Sequence, residues 1–146
     1  MTVVAYKYLK VYEGRMTGSS VQLEITPNNL GIHRITIDSE NIPFRSQGLK
    51  EGGYENWNKS AQQALQISLE RLNHSPKLDI LVKKLEGRIL LDTNNAAVGV
   101  ACILALWKYL EIQPGNEMMD KIHLFVKEDW RNKVEVIPDF QTIFAS

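Results

Sequence analysis

One run constrains this chain more than any other: Ala96-Ala97-Val98-Gly99-Val100-Ala101-Cys102-Ile103-Leu104-Ala105-Leu106-Trp107, with no charge on it before Lys108. Immediately upstream stands Asp92-Thr93-Asn94-Asn95. Oxygens of such side chains accept hydrogen bonds from the free N–H groups of a first helical turn. The cluster therefore reads as a cap that includes Asp92, and the run as a helix over residues 95–110. The turn signal Gln113-Pro114-Gly115-Asn116 closes it. A surface helix keeps a polar stripe, whereas a helix apolar on every side has to be covered on most of them. This one is shorter than the roughly 20 residues that cross a bilayer. It is expected to be the central core helix of a folded domain, and a membrane is not expected among the partners.

A chain of 146 residues can bury most of one continuous core, so a single domain over residues 1–146 is the expected organisation. Lysine plus arginine and aspartate plus glutamate balance at 17 each, which leaves no global field to recruit polyanions. Any nucleic-acid contact has to come from a local patch. Cys102 is the only cysteine, so no intramolecular disulfide is available, and within the apolar run it packs as a small hydrophobe. The start Met1-Thr2-Val3-Val4-Ala5-Tyr6-Lys7 lacks the basic segment, apolar stretch and cleavage site of a signal peptide. A cytoplasmic location is expected.

Residues 3–12 are β-branched and aromatic, with Tyr6, Tyr8 and Tyr12 at one parity and Val3, Ala5, Leu9 and Val11 at the other. That is a strand with two usable faces. Residues 13–20 have a turn composition, and Val21, Leu23 and Ile25 then alternate with Gln22, Glu24 and Thr26, giving an antiparallel hairpin. A third strand follows over residues 32–38, with Ile35 and Ile37 on one face; the irregular stretch 39–53 is the longest connection. Over residues 54–73, Trp57, Ala61, Ala64, Leu65, Ser68, Leu69 and Leu72 recur at spacings of three and four, the stripe of an amphipathic helix. Leu78-Asp79-Ile80-Leu81-Val82 opens a strand expected to turn at Leu85-Glu86-Gly87-Arg88 and return as Ile89-Leu90-Leu91. Beyond the central helix, Ile122, Leu124 and Val126 alternate with His123 and Phe125. The segment 128–132 is polar and Val134-Glu135-Val136-Ile137 returns, a last hairpin. The order β-β-β-α-β-β-α-β-β predicts a two-layer α+β fold, a mostly antiparallel sheet with two helices on one face. The crossover through the first helix would set the strands before and after it parallel.

This order, together with Leu78-Asp79-Ile80-Leu81-Val82-Lys83-Lys84-Leu85-Glu86-Gly87, Asp92-Thr93-Asn94-Asn95-Ala96-Ala97-Val98 and Gly52-Gly53 before the first helix, resembles domain IV of translation elongation factor G. The resemblance spans residues 20–137. It implies the superfold shared with the second domain of ribosomal protein S-five, with small-metabolite kinases and with an ATP-dependent protease. The kinase branch cradles phosphate with a glycine-rich loop at the start of an apolar helix. Here no glycine precedes Gly99 in that helix start and the carboxylate of Asp92 stands in the place of phosphate, so nucleotide binding is not expected. Translocase activity is not implied either, because Arg88-Ile89-Leu90-Leu91 has no histidine where the family carries one. The resemblance implies a binding module that contacts RNA or a ribonucleoprotein, the ribosome included, through the tip of the second hairpin.

At that tip Lys83, Lys84 and Arg88 form a basic cluster suited to a phosphate backbone, and Trp130-Arg131 offers a surface for stacking. Two other readings stand beside this one. The two-faced first strand leaves a sheet edge or face for pairing with a second copy as a homodimer, or with another protein, with Phe140, Ile143 and Phe144 in the tail as further contacts. Arg45 and Lys50 in the 39–53 stretch, with Asp92, would frame a site that binds a small anion or hydrolyses a small substrate. No nucleophile, base and orienting group assemble from the residues near the turns, so no catalytic residue, enzymatic activity or cofactor is expected. His33, His74 and His123 are dispersed, and with a single cysteine no metal site is expected.

Overall fold

The structure, a computed structural model, describes residues 1–43, 53–87 and 92–145. Its first two strands, β1 (Thr2–Tyr12) and β2 (Arg15–Asn28), are joined by only Glu13 and Gly14. Both have positive φ, 51° and 80°, the backbone that a two-residue hairpin loop needs to match the twist of its strands. The turn expected over residues 13–20 is thus two residues long, and the rest of that segment, Gly18 included, is strand. A Cβ on Gly18 would lie 2.3 Å from the carbonyl oxygen of Tyr8 across the pair, so glycine is there for close approach.

Among the described residues, two further strands, β3 (Arg34–Pro43) and β4 (Lys77–Gly87), complete a four-stranded sheet in the order β1-β2-β4-β3. Antiparallel pairing joins β1 to β2 and β2 to β4. The β3–β4 pair is parallel, as the crossover through α1 (Gly53–Leu72) requires. Lys83 sits at a double irregularity, where the register shifts between Gln22 and Leu23 on one side and between Ile37 and Glu40 on the other. The strand runs on through Gly87, so the turn expected at 85–88 is absent at 85–87. Arg88 and the return strand 89–91 lie outside the described residues.

Helices α1 and α2 (Asn95–Tyr109) cover one face of the sheet, α2 against β1 and β2 and α1 nearer β3. The fold is a two-layer α+β arrangement with a mostly antiparallel sheet. Every residue of α2 from Asn95 to Trp107 is buried. Trp57, Ala61, Ala64, Leu65 and Leu69 on α1 face it, and Trp107 Nε1 donates to Ser68 Oγ at 3.1 Å across the interface. From the sheet come Val4 and Tyr8 on β1, Val21, Leu23 and Ile25 on β2, and Leu78, Ile80, Val82 and Leu85 on β4.

The expected last hairpin is corrected. Residues Asn116–Asp129 form a helix, α3, and 134–137 form no strand. Ile122 and Val126 are the buried apolar pair of α3, spaced by four, while Leu124 between them is 57% exposed. The residues that look like every second position of a strand are one helical stripe, with Met118 and Phe125 packed beside it. The tail then forms a short 3-10 turn, Phe140–Phe144, capped by Asp139, whose side chain accepts from Gln141 N–H. It inserts the Phe140 ring against α2, where Gly99 has no side chain to obstruct it.

A Cβ on Gly99 would lie 2.1 Å from Cζ of Phe140 and 3.0 Å from Cβ of Ala64. Gly99→Ala should therefore destabilise the protein despite the helix-propensity gain of about 1 kcal/mol, because overpacking typically costs about 1–3 kcal/mol. Urea titration of Gly99→Ala, Phe140→Ala and the double variant checks this. The expected outcome is that the glycine substitution costs less when Phe140 is already truncated; an additive pair would show that the two positions do not share space.

Candidate functional site at the start of α2

A helix buried from its first residue has to satisfy its free N–H groups without water. In α2 the cap is Asn94, in extended backbone (φ −112°, ψ 172°), whose Oδ1 accepts from the N–H of Ala97 at 2.8 Å. Its Nδ2 donates to the carbonyl of Val126 on α3 at 2.9 Å. The N–H of Ala96 donates to Oδ2 of Asp129 at 3.0 Å, and Oδ1 of the same carboxylate accepts from Asn132 Nδ2 at 3.0 Å. Asn95 Nδ2 reaches the carbonyls of Val134 and Val136, at 2.8 and 2.9 Å, and Asn56 Nδ2 from α1 also donates to Val134. The end of α3 and the segment after it are thus laced to the first turn of α2.

Asp92 is not the cap. Its carbonyl accepts from the N–H of Gly18 at 2.7 Å, and Thr93 Oγ1 lies 2.6 Å from the Gly18 carbonyl and 3.1 Å from Asp92 Oδ1. These bonds continue the β2 ladder past the last β2–β4 pair and aim the chain into α2. Gly87 permits the approach, since a Cβ there would sit 2.1 Å from Thr93 Oγ1.

The carboxylate that faces the positive end of the α2 dipole belongs to Asp129, 33 residues downstream of Ala96. Burial pushes its pKa above the usual carboxylate value, against the bonds from Asn132 and Ala96 that favour the ionised form. Beside it lies a cleft of about 210 Å³ lined by Arg15, Trp57, Asn95, Asp129, Trp130 and Lys133, among others. A second groove, about 390 Å³, opens on the other side of the Asp92–Thr93 segment between Lys7, Leu9, Met16, Ser20, Glu86 and Asp92.

The expected RNA contacts are dispersed or engaged. Lys83 pairs with Asp38 at 3.4 Å, Arg131 with Glu128 at 3.0 Å, and Lys84 sits mid-ladder opposite Gln22 and Glu40. Trp130 presents one ring face to the Arg15 guanidinium, 3.5 Å from the ring centroid, and donates from Nε1 to Thr17 Oγ1 at 2.9 Å. One of its two stacking faces is therefore already in use. Lys83 and Lys84 are on β4, and Trp130 and Arg131 follow the end of α3. Of the expected anion pocket, Arg45 and Lys50 lie outside the described residues; only Asp92 has a described position.

No family model and no curated relative matches the chain. Among solved structures it is similar to a mevalonate kinase (12% identity, 99% of this chain and 52% of that one, TM-score 0.47). It is also similar to the mevalonate kinase of Methanococcus jannaschii (14%, 98% and 51%, 0.47). A third is the phosphomevalonate kinase of Streptococcus pneumoniae in complex with phosphomevalonate and AMPPNP (13%, 98% and 47%, 0.44). The chain spans about half the length of these structures. These three structures are kinases and none is domain IV of elongation factor G, which corrects that resemblance and the RNA-contacting role drawn from it. These neighbours are named as enzymes, so the expectation of a non-enzymatic chain gains no support from them. Among the described residues no helix is long and apolar enough to cross a membrane.

Removing the Asp129 carboxylate leaves a buried N–H without its acceptor, a loss of about 1–3 kcal/mol, so Asp129→Ala should lower the denaturation midpoint accordingly. Asp129→Asn keeps an acceptor for Ala96 and removes the buried charge, and should cost less at neutral pH. Because the folded-state pKa is raised, the contribution of the acid is full below its unfolded value of 3.8 and is lost as pH rises through the folded value. Wild type should therefore gain on Asp129→Asn as pH is lowered, read from paired denaturation curves.

Proposed function

We propose that the role supported best by the described surface is self-association, two copies pairing through β1. One observation carries the reading: among the described residues β1 is an edge strand of the sheet, and its solvent-facing parity is aliphatic except at Lys7. Val3, Leu9 and Val11, with Met16 opposite Val11 on β2, are 49–56% exposed, while Tyr8 of the other parity is buried under the helices. Unpaired strand edges with apolar side chains invite pairing, and clustered exposed apolar groups mark association surfaces.

The geometry of a single strand supports a second copy as the occupant. An antiparallel alignment of two β1 strands about a two-fold axis at Tyr6 sets Val3 opposite Leu9, Ala5 opposite Lys7 and Thr2 opposite Lys10. It joins aliphatic to aliphatic and sets no lysine directly opposite a lysine, which cross-strand energetics would penalise. Alignment about Lys7 would oppose the two Lys7 side chains, so the Tyr6 register is preferred. Lys108 of α2 donates to the carbonyl of Ala5 at 3.2 Å and acts as a guard that pairing displaces.

Sedimentation equilibrium measures the association. Leu9→Lys and Val11→Lys should each weaken it about tenfold or more, since burying one such side chain is worth about 1.5–3 kcal/mol. Lys108→Ala should tighten it. A monomer throughout the micromolar range for wild type and Lys108→Ala alike would refute pairing.

A further inference from the structure

We propose that His33 is a pin that a proton withdraws: with a neutral ring it closes the start of the parallel β3–β4 pair, and once protonated it leaves and the N–H of Leu78 opens to water. The residue stands just before β3, and its Nδ1 lies 3.0 Å from the backbone nitrogen of Leu78, ahead of the first β3–β4 partners, Arg34 and Asp79. The ring thus stands in for a strand carbonyl and satisfies the first donor that β4 turns toward β3. A backbone N–H can only donate. Nδ1 therefore accepts, and the neutral ring carries its proton on Nε2. That nitrogen is buried and has no acceptor among the described residues. Protonation would place an N–H on both nitrogens, one aimed at the N–H of Leu78 and the other at no acceptor, and would add a charge to a part-buried ring. Neither N–H of the facing pair has a lone pair to offer, so the bond is lost.

The charges around the ring oppose the proton as well. Burial lowers the His33 pKa below 6.5, and Lys77 at the start of β4 and His74 between α1 and β4 lower it further. Beside the ring, Arg34 of β3 donates to both carboxylate oxygens of Asp79 on β4, at 2.7 and 2.6 Å, and Asn28 of β2 donates to the same carboxylate at 2.7 Å. Arg34 holds the Asp79 carboxyl below its usual range, so it stays ionised while the histidine titrates. This clamp persists when the pin is withdrawn, and the opening is confined to residues 29–33 and the Leu78 N–H. A histidine whose pKa is depressed in the closed state favours closure in full above 6.5, and that preference is lost as pH falls from 6.5 to the closed-state value. Across that window the opening equilibrium rises by up to about tenfold per pH unit. The pin lies at the sheet edge opposite β1, so it works in the single copy and does not depend on pairing.

The test follows the full chain from pH 8 to 4.5 by NMR, reading the ring nitrogen shifts of His33, which report its tautomer and charge, and the amide protection factor of Leu78, corrected for intrinsic exchange. The expected result is a neutral ring protonated on Nε2, titration below 6.5, and Leu78 protection that falls as the ring charges while that of Ile80 holds. His33→Asn sets an oxygen near the place of Nδ1 without a titrating group, and should make Leu78 protection independent of pH over this range. His74→Gln removes a neighbouring charge and leaves the pin in place. It should move the His33 titration upward and the loss of Leu78 protection with it, and it keeps the test open should His33→Asn not fold. A neutral ring protonated on Nδ1, wild-type titration at or above 6.5, Leu78 protection that holds while His33 charges, or the same loss of protection in His33→Asn would overturn the pin.

Discussion

The free N–H groups at the start of α2 set the terms for the rest of the molecule. A helix apolar on every side gains most by complete burial, but burial removes the water that would otherwise satisfy its first turn. The chain answers with its own side chains: Asn94 takes the Ala97 N–H, Asp129 takes that of Ala96, and Asn94 and Asn95 tie carbonyls of α3 and the segment beyond it to the same point. The path of the last third of the chain follows from this. The end of α3 has to arrive beside the start of α2, and Asn132 has to hold the carboxylate in place. The positive pole of the helix is thereby closed from within by an acid that burial keeps reluctant to ionise.

Covering α2 also decides which face of the sheet is left over. The helices need an inner face with few gaps, and β1 supplies Val4 and the large rings of Tyr8 and Tyr12 to it. A buried tyrosine requires a partner for its hydroxyl, and α3 provides one in His123. The aliphatic parity of β1 is then turned outward with nothing among the described residues packed over it. The association surface and the β1–α3 contact are two sides of one strand.

The strands through Ile37, the amphipathic stripe of α1 and the all-apolar α2 were legible because each is a local periodicity with one answer. Residues 122–126 were not, because Ile122 and Val126 satisfy both a strand alternation and a helical stripe. Only Met118 and the buried Asp129, at matching helical spacing, distinguish the two, and Asp129 reads from sequence as part of a polar turn. The site was legible in part. Asn94 and Asn95 follow from the cap signal, but at Asp92, the acid assigned to that place, the backbone carbonyl continues the β2 ladder and the carboxylate bonds Thr93 Oγ1, and the acid that does the work stands 33 residues beyond Ala96. No local pattern announces such a partner. Lys83, Lys84 and Arg88 read as a cluster because a turn was expected there; Lys83 and Lys84 instead lie on a strand that runs through Gly87.

Native-state hydrogen exchange under increasing denaturant measures most directly whether α2, sealed at its start, is the element on which the fold depends. The amides from Val100 to Leu106 should exchange only through global unfolding, with free energies equal to the overall stability, and those of α3 and β1 at or below that limit. Exchange of the α2 amides through a local opening cheaper than that of β1 or α1 would contradict the account.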